Sequence, residues 1–469
     1  MISFLVAMAM LITAYFTYGR FVERVFGADD SRPTPVKEMA DGVDYVEMDW
    51  KKMFLIQFLN IAGLGPIFGA IAGVMWGTAS YIWIVLGCIF AGAVHDYMAG
   101  MLSVRHGGKS IPELVRIYLG KHAERATRVL IVVLLVIVGV AFINGPAEIL
   151  DSVTRVPKMA WVGIITVYYI MATILPINKI IGRIYPIFGA ALIFMGVGIL
   201  FGLFKNGYHM PEMTLANLHP KGTPMYPFMF VVISCGAISG FHSTQSTLMA
   251  RCLKTERDGR RVFYGSMLAE GMTALIWAAV AIAFFGTPEG IAASGGGAVA
   301  VNKITSSLLG KTGAVVAFFG VIACPISTGD TAFRSVRITV SEFLNIKQDK
   351  VKNRVLTSLP IFAMAGFLSQ FGFSTIWRYV ASTNQMLATV TLWVCAEYLR
   401  RNQRNHWICT LPATFMSTMI TTYIVMAKEG LGMSSVYAYP MGAAAGLGAL
   451  SLFYYKGRVK TEEKREKLA

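Results

Sequence analysis

Asn60-Ile61-Ala62-Gly63-Leu64-Gly65-Pro66 and Gly236-Ala237-Ile238-Ser239-Gly240-Phe241-His242 interrupt two otherwise hydrophobic segments of this chain with Gly, Pro, Asn, Ser and His. A spanning helix satisfies its backbone polar groups internally, and irregular backbone at membrane depth persists mainly where it lines a cavity enclosed by protein. At the first break Gly63 and Gly65 permit unusual dihedrals and close approach, Pro66 cannot donate to the preceding turn, and Asn60 offers an amide. At the second, Gly236 and Gly240 supply the flexibility, while Ser239, Phe241, His242, Ser243, Thr244 and Gln245 follow as a strip that is mostly polar. Gly236 and Gly240 also have the GxxxG spacing of closely packed helices, but packing alone does not call for the adjoining polar strip. New half-helix amino termini carry partial positive charge and suit a carboxylate.

Composition places the rest of the chain around these breaks. Of 469 residues 55% are hydrophobic and 14% charged, and apolar stretches of membrane-spanning length recur throughout. The pattern predicts an all-α polytopic membrane protein of about thirteen spans, near 2–19, 53–75, 79–103, 126–150, 159–177, 184–204, 226–250, 262–286, 313–340, 355–371, 374–399, 406–427 and 434–455. The net charge of +16 would suggest nucleic acid in a soluble protein. Here most Lys and Arg fall on alternate loops, including Arg251 to Arg261 and the tail from Lys456, so they read as topology determinants and lipid contacts. No nucleic-acid partner is expected. The positive-inside rule then predicts a cytoplasmic (inner) membrane protein with its amino terminus outside and its carboxyl tail inside. The apolar start Met1 to Tyr18 lacks a basic n-region and a small-residue cleavage site, so it reads as a retained helix. Cys88, Cys235, Cys252, Cys324, Cys395 and Cys409 show no metal-ligand spacing and read as helix-packing residues.

Each break opens a set of five spans, and an odd number of crossings inverts the second set relative to the first. The expected organisation is a peripheral first helix (1–19), a cytoplasmic connector (20–52), a first five-helix repeat (53–204), a second (226–399), two further helices (406–455) and a basic tail (456–469). No residue-level repeat is visible. The connection from Gly286 to Lys311 holds a Ser294-Gly295-Gly296-Gly297 run and then the helix-capable stretch 298–309, which reads either as a hinged external gate or as a plain surface loop.

Ionisable groups inside spans are functional candidates by default. These are His95 and Asp96 in the third span, Glu148 near the end of the fourth, Glu270 in the eighth and Asp330 in the ninth, with His242 at the second break. His242 titrates near neutrality and is favoured for substrate or proton coupling. Asp330 equally suits a helical salt bridge to Arg334, four residues on. Ser327, Thr328 and Thr331 could instead ligate sodium together with carbonyls at the first break.

At Asn60-Ile-Ala-Gly-Leu-Gly-Pro-Ile-Phe-Gly, Ala91-Gly-Ala-Val-His-Asp-Tyr, Ser103-Val-Arg-His-Gly-Gly-Lys-Ser-Ile-Pro-Glu, Cys235-Gly-Ala-Ile-Ser-Gly-Phe-His and Asp330-Thr-Ala-Phe-Arg the chain resembles the carbon starvation protein CstA family of bacterial transporters. The resemblance covers nearly the whole chain, which is shorter than many members at the carboxyl end. It implies uptake of peptides or, in some members, pyruvate, driven by protons, on a scaffold similar to the amino acid-polyamine-organocation transporters with their LeuT-like inverted repeat. Breaks and resemblance together lead to a proton-coupled importer of short peptides, with pyruvate as the alternative and no cofactor. The expected substrate site is Asn60, Gly63, Gly65, Gly236, Ser239, Gly240, Phe241 and His242. The expected coupling groups are His242, Asp96, Asp330, Ser327, Thr328 and Glu270, with a proton favoured over sodium. Oligomeric state is not legible. A channel lacks a repeated filter segment, and an enzyme is not expected: a hydrolase using Ser239 and His242 lacks the Gly-x-Ser-x-Gly elbow. A receptor would carry a soluble output domain.

Overall fold

Asp49 caps the helix Trp50–Ala62 by accepting a hydrogen bond from Lys51 N at 2.9 Å. The helix stops at Gly63, whose φ of −22° and ψ of −116° are non-helical, and coiling resumes over Gly65–Gly69. Gly77, at a positive φ of 80°, then turns the chain into a long helical crossing that runs to Arg105. The second broken segment has a short helix, Phe228–Val232, a non-helical stretch, and then Gly240–Ala250. These elements belong to a computed structural model that describes residues 1–42, 44–174, 181–294, 297–348 and 350–466. The expected end of the 159–177 span, Gly295, Gly296 and the side chains of the tail beyond Lys456 lie outside the described residues.

The described residues are helical apart from loops and one isolated bridge between Met48 and Leu253. Among them seven stretches are long and apolar enough to cross a membrane by length and composition: Ile2–Phe26, Gly65–Arg105, Lys121–Ser152, Pro186–Lys205, Arg260–Phe285, Trp407–Met426 and Ser435–Lys456. The other expected spans are also helical but are broken (Trp50–Ala62, Phe228–Ala250), shorter (Lys158–Thr173) or more polar, as in Phe373–Arg401. Large apolar side chains stand on the outside, among them Phe194, Phe201, Leu359, Val436 and Leu447. An exposed apolar belt of this kind matches lipid, not water. The whole is a multi-pass membrane protein.

The helix from Ile2 to Phe16 buries only one stripe, Phe4, Ala7, Leu11 and Ala14. Its amino end is tied to the loop after Lys205: the Met1 amine meets Glu212 Oε1 at 2.7 Å, and Ser3 bonds the same carboxylate. These bonds hold the Glu212 carboxyl down at about 2. The connector after Phe26 packs on the arginine-rich face, where Arg105 donates to Gly27 O, Tyr398 and both oxygens of Glu256. The stretch 298–309 is helical within Gly297–Ala317, which kinks at Gly310 with φ 59°. It is not a bare loop: Ala300, Val301, Ile304 and Thr305 are buried, and the Gly297 backbone lies against Phe68, just past the first break.

Candidate functional site

The two breaks face each other. A Cβ placed on Gly65 would collide with Cys235 Cβ and lie 2.5 Å from its sulfur, so the first break's backbone rests directly on the second. A cavity of about 10 Å³ remains between them, bounded by Ile61, Gly65, Phe142, Cys235, Phe241 and Asn384 among others. That is space for roughly one water, so the breaks are closed on each other. Gly63 lies against Phe142, whose ring meets Phe241 edge-on at 6.4 Å.

The second break leaves a fresh helix amino terminus at Gly240, and Asn384 Oδ1 accepts from Phe241 N at 3.0 Å. Gly240 must be glycine, because a Cβ there would sit 2.5 Å from Asn384 O and 2.6 Å from Ala388 N. Gly236 turns away from this gap, and a Cβ on it would run into Ala274 Cβ. Ser239 accepts a long contact from the Cys235 thiol at 3.7 Å. Asn60 is buried, and its Oδ1 has no hydrogen-bond partner among the described residues.

Beside the breaks runs a line of buried titratable groups drawn from separate helices. His95 Nδ1 lies 2.7 Å from Asp96 Oδ1, Asp96 Oδ2 lies 3.1 Å from His242 Nδ1, and His242 Nε2 lies 3.3 Å from Glu270 Oε2. All four side chains are 0% exposed. Helix Ala93–Arg105 supplies the first pair, Gly240–Ala250 supplies His242 and Gly265–Phe285 supplies Glu270. Both ring nitrogens of His242 face carboxylates, so it is not placed as a base for Ser239.

The remaining candidates sit elsewhere. Asp330 pairs with Arg334 at 3.5 Å one turn along its own helix, and Arg334 also donates to Ala172 O at 2.6 Å. Thr328 Oγ1 donates to Leu59 O at 3.2 Å, just before the first break, while Ser327 Oγ bonds Cys324 O. Glu148 is paired with Lys158 at 2.5 Å. Two residues in the site escaped the sequence reading: Asn384, whose signal is the polar run Ser382-Thr383-Asn384-Gln385 inside an apolar span, and Cys235, which reads locally as packing.

Comparison with solved structures places this architecture. A mutant manganese transporter of Eremococcus coleocola superposes with a TM-score of 0.58 at 12% identity over 90% of this chain and 99% of that one. A nucleobase-cation-symport-1 family transporter, in a closed conformation, gives 0.55 at 13% identity over 89% and 94%. Paired broken helices and these likenesses define the class of fold: all-α and LeuT-like, with an inverted repeat. The sequence profile described as carbon starvation protein CstA matches residues 1–148, 143–287 and 287–423, and the chain belongs to that family. An uncharacterized membrane protein of Haemophilus influenzae is 41% identical over 345 residues, 62% of this chain and 93% of its own. A Bacillus subtilis protein named peptide transporter CstA is 25% identical over 95% of this chain and 92% of its own. The Escherichia coli pyruvate/proton symporter BtsT is 25% identical over 58% and 48%.

Proposed function

We propose that this protein is a secondary active importer of short peptides, driven by protons, in the cytoplasmic membrane. The observation that carries the proposal is the meeting of the two breaks at Gly65 and Cys235 beside the buried line His95, Asp96, His242 and Glu270. A substrate carboxylate would replace Asn384 Oδ1 at the amino terminus of Gly240–Ala250, where the helix dipole favours an anion. With the breaks closed to about 10 Å³, a dipeptide enters only after they separate, which is the rocking step of alternating access. The segment 297–309, docked on Phe68, would gate that step from outside.

The proton belongs between His242 and Glu270. Asp96 faces the Nδ1 side of both imidazoles, and Nε2 of His242 faces the Glu270 carboxyl at 3.3 Å. A buried charge is tolerated only when paired, so protonation and helix rearrangement are linked. Sodium would use another place, Thr328 with the carbonyls near Leu59. Pyruvate remains the second reading, favoured by the named activity of BtsT. The test is internal acidification of proteoliposomes carrying a pH dye. Dipeptides but not pyruvate should acidify the lumen; the reverse result makes the protein a pyruvate symporter, and sodium-dependent uptake without acidification removes the proton.

A further inference from the structure

We infer that Cys235, His242 and Glu270 form a binding site for a borderline-soft divalent metal ion of the zinc class. Their ligand atoms, one thiol sulfur, one imidazole nitrogen and one carboxylate oxygen, all lie within 4.8 Å of one another, and all three residues are buried. The inference goes beyond the transport reading and does not depend on it.

Three observations point to a metal instead of simple packing. His242 Nε2 and Glu270 Oε2 face each other without hydrogen-bond geometry, and Glu270 Oε1 has no hydrogen-bond partner among the described residues, although both side chains are fully buried. The gap between Nε2 and Oε2 is 3.3 Å. A charge-assisted hydrogen bond would draw such a pair to about 2.8 Å, whereas two ligands about 2.0 Å from a tetrahedral zinc stand about 3.3 Å apart. Cys235 Sγ makes only long polar contacts, at 3.7 Å from Ser234 and from Ser239 and at 3.9 Å from Asn384.

The donor set selects the ion. Thiolate and imidazole favour zinc over the hard cations magnesium and calcium. A thiolate and a carboxylate together match the charge of a divalent ion, so a thiol and a carboxyl that enter as acids each release one proton on binding. The net charge of the buried site is then unchanged, which removes the main penalty of placing an ion there. His242 is oriented through Nδ1 by Asp96, the carboxylate partner typical of metal-binding histidines.

Cobalt(II) added to the purified, detergent-solubilised protein is the probe, with zinc counted by competition against a chromogenic chelator. Wild-type protein should bind one zinc per chain, and its cobalt form should show a near-ultraviolet sulfur-to-cobalt charge-transfer band. Cys235→Ser should abolish that band and weaken zinc by at least about tenfold. Glu270→Gln should weaken zinc similarly while keeping the band, and Cys324→Ser should change neither. Absence of the band in monodisperse wild-type protein, or its survival in Cys235→Ser, overturns the site even if the variants fold poorly. Peptide or pyruvate uptake does not enter this readout.

Discussion

His242 is the residue on which the buried carboxylates converge, with Asp96 at one ring nitrogen and Glu270 at the other. Glu270 faces its Nε2 at 3.3 Å in a fully buried region, so the charge on the Glu270 carboxyl bears directly on the ring. Replacing Glu270 by Gln keeps the shape and removes the titration. Glu270→Gln should therefore retain substrate exchange between equal pools while losing accumulation driven by a pH gradient by more than about tenfold; unchanged accumulation in transport assays removes Glu270 from coupling. His242→Ala should abolish uptake in protein that still inserts and runs as a single species, and near-normal uptake removes His242 from the mechanism. The sequence marked all of these groups as ionisable and buried. It could not show that Asp96, His242 and Glu270 meet while Asp330 turns to Arg334, because residues 96, 242 and 270 lie on three separate helices whose packing local patterning does not set.

Among the elements, the broken helices were the most legible, since Gly, Pro and Asn in the middle of apolar segments disrupt the helical pattern within a turn of where they stand. Their mutual contact was not. Gly65 allows the first break to lie on Cys235, and a methyl there would collide with Cys235 Cβ. Gly65→Ala should push the breaks apart, destabilise the protein by about 1–3 kcal/mol as overpacking does, and cut uptake. Adding Cys235→Gly should restore part of both, measured by thermal unfolding in detergent and by proteoliposome flux; no restoration would mean that the contact at Gly65 is not what limits the variant. Gly236 behaves differently, because it packs on Ala274, so bulk there separates helices and does not fill the gap between the breaks. The 298–309 stretch left gate and surface loop both open in sequence, and its burial against neighbouring helices came only with tertiary packing.

At the scale of the whole molecule, the Met1 face carries Glu212 and Glu289, and the opposite face gathers Arg105, Arg404, Arg251 and Arg260. In a Glu289→Cys variant the thiol should react with an impermeant maleimide in right-side-out vesicles, and in Arg404→Cys only after permeabilisation; the opposite pattern would invert the proposed topology. The sequence by itself determined that the chain is helical and polytopic, where its two helices break, and which groups are anomalous inside a membrane. Those properties are local: hydropathy, glycine and proline act over one or two turns. Only the tertiary structure decided which break faces which, that Asn384 caps the new helix end, and that Cys235 stands with His242 and Glu270. Such pairings depend on how helices distant in the chain are arranged, and one-dimensional patterning does not encode the angle at which one helix face meets another.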